Sequence, residues 1–251
     1  MRLFYIILIL FISISPAFPN AKSILISHDN SIYNPLKFAV KEITFNIEIE
    51  GLAKEISDLN SYGKIEKVLF EVNVDKLRRI NVKVFGIPNG FTELIENLKA
   101  KLVPYLELLF PQSLSNFYRS YELKSNGNRV SAVDQSYLKP IRESYMLFEK
   151  NGILLENKIK TAQGTQIINF EHGHGSNGLK ELVLEKVNRK IIYGPSHLLS
   201  ATEIKYDNDS RIPFPKEIYT VFTFENKENN STGKRVNKLN EKYIITNFKL
   251  N

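Results

Sequence analysis

The chain has 251 residues, 43% of them hydrophobic and 24% charged, with 12 Gly, 10 Pro and neither Cys nor Trp. This composition excludes a disordered or collagen-like chain, and the lack of cysteine excludes disulfide frameworks, thiolate nucleophiles, Cys-based zinc or iron-sulfur sites and a lipidated N-terminal cysteine. The net charge of +7 comes from scattered lysines and arginines that are not interleaved with aromatics in a recognisable module, so nucleic acid is not an expected partner.

Met1 and Arg2 precede an apolar run, Leu3 to Ser15, followed by Pro16, Ala17, Phe18, Pro19, Asn20 and Ala21. The run is shorter than the roughly twenty apolar residues a spanning helix needs, so residues 1–21 read as a secretory signal cut after Ala21, with Ala17 as the alternative. Residues 22–251 then form one domain exported across the inner membrane, periplasmic in the first reading and extracellular in the second.

Ile43, Phe45, Ile47 and Ile49 alternate with Thr44, Asn46, Glu48 and Glu50, which predicts a half-buried strand within Phe38 to Glu50. Leu52 to Leu59 suits two helical turns. Lys64 to Val74 and Arg79 to Phe85 alternate again around Asp75 to Arg78. Phe91, Leu94, Ile95, Leu98 and Leu102 recur at helical spacing, with Thr92 or Asn89 available as the cap. Pro104 predicts a kink or a restart, and Tyr105 to Phe110, apolar on almost every side, should be buried. From Phe117 onward the pattern is strands punctuated by Gly, Asn and Pro. Asn151-Gly152 is the strongest hairpin signal.

Helices do not alternate with strands, so a doubly wound sheet is excluded. The predicted class is α+β, mostly antiparallel β: a curled open sheet, or half-barrel, wrapping one kinked helix. Strands such as Tyr145 to Phe148, Ile218 to Phe222 and Tyr243 to Ile245 are apolar on both faces, so either both sides are covered or a hollow is filled.

Catalytic signals are weak. His172 and His174 stand at i and i+2, which on an extended segment would aim both rings one way, but no third ligand is visible and the neighbouring glycines read as a solvated hairpin. Ser176 lacks the context of a nucleophile elbow, and no carboxylate pair can be placed in one cleft. Neither enzyme activity, nor a cofactor, nor a metal is expected. Asn208 and Asn230 begin glycosylation sequons, which matter only in a eukaryotic source.

Three stretches resemble the exported carriers of the LolA, LolB and LppX type. In Gly63 to Val84 a strand with Leu69-Phe70 precedes Lys76-Leu77-Arg78-Arg79-Ile80; in Ile204 to Val221 a strand precedes Pro213-Phe214-Pro215-Lys216-Glu217-Ile218; the third is the terminal strand Asn247 to Asn251. The chain departs from the family pattern at Asn73-Val74-Asp75, where members usually carry a proline, and at Ile80, where an aromatic often stands. The resemblance implies a non-enzymatic half-barrel that holds a lipid or the acyl chains of a lipoprotein. Phe45, Ile47, Phe70, Val72, Ile80, Val82, Leu94, Leu98, Leu102 and Leu106 would line the hollow, and Lys76, Arg78 and Arg79 would meet head groups or a membrane surface. The expected protein is a monomer. The alternative is an envelope structural or interaction module whose interior is packed with its own side chains.

Overall fold

The computed structural model describes residues 20–39, 41–59, 63–175, 179–194, 196–207, 212–226 and 236–251. The apolar run, Ser176 and both sequon asparagines lie outside the described residues. The strands are β1 (Glu42–Ile49), β2 (Leu69–Asp75), β3 (Ile80–Phe85), β4 (Glu122–Asn126), β5 (Arg129–Val133), β6 (Ile141–Phe148), β7 (Leu154–Thr161), β8 (Thr165–His174), β9 (Leu182–Tyr193), β10 (Ser196–Tyr206), β11 (Pro215–Asn226) and β12 (Val236–Leu250). The helices are α1 (Ala21–Ser31), α2 (Leu52–Leu59), α3 (Thr92–Leu109) and α4 (Leu114–Phe117).

All twelve strands join one open antiparallel sheet in the order β3-β2-β1-β12-β11-β10-β9-β8-β7-β6-β5-β4. The class is α+β, mostly antiparallel β. β4 to β12 form a meander, and β12 returns to pair with β1, Ile47 opposite Ile245. The first three strands are thereby added to the meander's far side. β3 and β4 are opposite edges, so the chain from Phe85 to Glu122, which contains α3 and α4, must travel from one edge of the sheet to the other. A helical layer over one face follows from this connection.

Four helices occur among the described residues, against the one kinked helix that the sheet is expected to wrap; Leu52 to Leu59 is helical, as its sequence suits. α1 was not anticipated, although Ala21, Ile24, Leu25 and His28 fall at the spacing of one helical face and all are buried. Asn20 caps it, its side chain accepting from the Ser23 amide at 2.8 Å. A cut after Ala21 would therefore remove both the cap and a buried residue. α3 continues through Pro104, and neither Thr92 nor Asn89 caps it: the cap position is Phe91, with no side-chain bond. Tyr105, Leu106, Leu109 and Phe110 are buried as their apolarity predicts.

The interior consists of two separate packed clusters. One joins β1 and β2 to α2, α3 and parts of β10, β11 and β12. The other packs α1 against β5, β6, Leu154 and Tyr118.

Candidate functional site

Between the two clusters lies a cavity of about 290 Å³. Strands β6 to β11 each contribute to its wall, through Ile141, Ile159, Phe170, Leu184, Tyr206 and Pro215 among others, while α1, α3 and α4 contribute His28, Leu108, Leu109, Leu114 and Phe117. Most of this lining is apolar. Glu107 and Gln112, both exposed, mark the side open to solvent.

The polar atoms of the wall are largely spent on the protein itself. Tyr33 donates its hydroxyl to the Pro213 carbonyl at 2.5 Å, and Tyr206 donates to the Leu184 carbonyl at 2.9 Å. Burial pushes both phenols well above their ordinary range. Their rings therefore serve the cavity as apolar surface. Tyr118 donates to Ser144 Oγ at 2.9 Å, which donates to Asn157 Oδ1 at 2.6 Å. α4 is held in place by Asp29 of α1, whose carboxylate accepts from the Leu114 amide at 2.7 Å, the Ser115 amide at 3.0 Å and the Ser113 hydroxyl at 2.7 Å. A short helix thus gains a charged cap from another element, where negative charge suits the helix dipole.

Two imidazoles face this space. His28 Nδ1 accepts from the Leu154 amide at 3.2 Å, which assigns the proton of the neutral ring to Nε2. His172 lies 6.3 Å away, ring centre to ring centre, and its buried Nδ1 has no hydrogen-bond partner among the described residues. Desolvation lowers both to about 4, so both are neutral at pH 7.

His172 and His174 belong to β8 rather than to a hairpin loop, and they do not share a space. The register shifts between Glu171 and His172; His172 lines the cavity, whereas His174 is exposed and borders a different groove beside Glu171, Glu185 and Lys186. That shift precedes both histidines, whose own stretch pairs regularly with Leu184 to Leu182, so it does not account for their separation.

The residues expected to line a hollow are placed elsewhere. Phe45, Ile47, Phe70, Val72, Leu98, Leu102 and Leu106 are buried in the first cluster, packed against one another and their neighbours, and none borders the cavity. Val82 and Leu94 are partly buried at the margin of that cluster, and Ile80 is 37% exposed on edge strand β3. The cause is close packing: α3 lies directly on the β1–β2 end of the sheet, and Phe45 meets Phe110 and Phe214 at ring-centre distances of 5.9 and 5.1 Å. Of the expected head-group residues, Lys76 is exposed and Arg79 pairs with Asp75 at 2.5 Å. Arg78 alone of the thirteen lines the cavity. With φ at +63°, it donates from Nε to the Phe110 carbonyl at 2.5 Å and so ties the β2–β3 hairpin to the end of α3.

Sequence reasoning missed Tyr33, Phe117, Ile159, Phe170 and Leu184. Ile159, Phe170 and Leu184 stand on strands that the alternation predicts, whereas Tyr33 lies outside any element and Phe117 in a short helix, so no common pattern marks the five. Which of them border empty space depends on where the helices stop. No family model, curated protein or solved structure matches the chain.

Proposed function

We propose that this protein is an exported, non-enzymatic binder of a lipid or of a lipoprotein acyl chain, with the apolar tail seated in the cavity between the two packed clusters. The observation that carries the reading is the cavity itself: about 290 Å³, whereas an apolar cavity near 150 Å³ already accepts benzene. Each buried methylene contributes about 0.8 kcal/mol, so a few of them give useful affinity without a specific polar contact. The reading includes a half-barrel on the plan of the LolA-type carriers. The sheet is open and uncurled, so what supports this part of the reading is that six successive strands contribute to one cavity. The solid packing around Phe45 and Phe70 favours the alternative of a filled interior for the β1–β2 end only.

The test uses protein purified without detergent and titrated with a fluorescent long-chain fatty acid. Saturable binding is expected, together with co-purifying lipid on extraction. Leu184→Trp, which fills the cavity from β9, should weaken binding at least 10-fold while the protein stays folded. No binding by the native chain, or unchanged binding in Leu184→Trp, overturns the proposal.

A further inference from the structure

The helix-facing side of the sheet is apolar over most of its extent, but one stripe across β9 to β12 is not. There Arg189, Ser200, Thr202, Thr220 and Glu241 line a second cavity of about 180 Å³, closed from above by Lys101, Tyr105 and Leu108 of α3. Register explains the stripe: Arg189 stands opposite Ser200, Thr202 opposite Thr220, and Thr220 opposite Glu241, so these side chains share one face.

The polar groups of this second cavity are unequally satisfied. Glu241 is fully engaged, paired with Lys101 at 2.8 Å and accepting from Tyr105 at 3.1 Å and from Tyr243. Thr202 and Thr220 bond each other at 3.0 Å. Arg189 has nothing comparable. Its Nε is buried without a hydrogen-bond partner, and the guanidinium has no ion pair among the described residues. Burial lowers its pKa, and Glu107 on α3 opposes this only through its field. With Lys101 offset by Glu241, the wall keeps one positive charge that no carboxylate contacts directly among the described residues.

Arg189 is half-buried, and a guanidinium that gives up water at a buried Nε without gaining an acceptor is destabilising unless something else supplies the counter-charge. We infer that Arg189 is the recognition point for an oxyanion, the carboxylate or phosphate of an anionic guest, bound in this second cavity. Leu108 lines both cavities, so the two adjoin at that side chain, and a guest reaching past it from the larger one would set its charged end beside Arg189. That placement of the tail rests on the acyl-chain reading; the anion site does not.

The experiment compares wild type, Arg189→Met and Arg189→Lys in two arms. In the first, thermal melting is followed in inorganic phosphate and in sodium chloride of equal ionic strength. In the second, a long-chain fatty acid and its methyl ester compete against a fluorescent acyl probe at neutral pH. In wild type the acid should displace the probe roughly 10- to 100-fold better than the ester, the size of a charge-assisted hydrogen bond. Arg189→Met should abolish that preference while keeping ester affinity, and should melt higher than wild type in chloride because the unpaired charge is gone. Arg189→Lys should keep part of the preference. A phosphate-dependent rise in melting temperature that Arg189→Met loses assigns the site to free anions as well as head groups. If acid and ester both fail to bind, the acyl-chain reading falls and the phosphate arm alone decides the anion site. The inference is overturned if no Arg189-dependent acid preference and no Arg189-dependent phosphate effect is found.

Discussion

His28 and His172 show how position sets the chemistry of a side chain. Both are held near 4 by burial, against about 6.5 in an unfolded chain. The folded state therefore binds fewer protons than the unfolded state between these values. Stability is full above pH 6.5, falls as pH drops toward 4, and levels below it; the limit is about 3 kcal/mol per histidine. Denaturant midpoints measured from pH 7 to pH 4 should show this fall, and His172→Leu should make it shallower. The same scale distinguishes core from site. Phe70 is fully buried in the first cluster, so Phe70→Ala should cost about 3–5 kcal/mol and leave guest affinity within a few-fold. A loss of affinity greater than the loss of stability explains would return Phe70 to the binding surface.

At the scale of elements, α1 and α4 depend on each other. α4 has four residues, too few to persist alone, and its exposed amides end on Asp29 of α1. Asp29→Ala removes the acceptor for the Leu114 and Ser115 amides across that junction, leaving Ser113 as the N-cap, and should cost about 1–2 kcal/mol, with faster hydrogen exchange in residues 113–118. Asn20 plays the same part for α1, and Ala21 is buried beneath it. A chain beginning at Lys22 should therefore melt several degrees below one beginning at Phe18, which differential scanning calorimetry would resolve. The strands were more legible than these helices, because alternation is a local property. β1, with Ile43 through Ile49 buried in turn, and the β6–β7 hairpin around Gly152, whose φ is +88°, follow directly from it. Gly152 also comes so near α1 that a Cβ would meet Ser27 Oγ at 2.7 Å. Only the packed structure reveals that second demand.

For the molecule as a whole, the decisive feature is that the two clusters do not merge. A guest in the gap would touch residues attached to both, among them Leu109 of the first and Leu154 of the second. Binding should then stabilise the entire domain by mass action, about 2.7 kcal/mol at a guest concentration one hundred times Kd. The melting temperature should rise with fatty acid in wild type and remain fixed in Leu184→Trp. A rise of equal size in both would place the guest outside the cavity.

The order of apolar and polar residues by itself determined that this chain builds an antiparallel sheet, where most of its strands run, and that Tyr105, Leu106, Leu109 and Phe110 are buried, because period-2 and period-3.6 patterns are written in neighbouring residues. Only the tertiary structure decided which apolar faces meet each other and which face a void. That choice is made by β12 returning to β1 and by the passage of α3 and α4 from one sheet edge to the other, contacts between residues far apart in the chain. The hollow accordingly lies between His28, Phe170 and Leu184 rather than beside Phe45 and Leu102, and the Nε of Arg189 is left in a wall with no hydrogen-bond partner among the described residues.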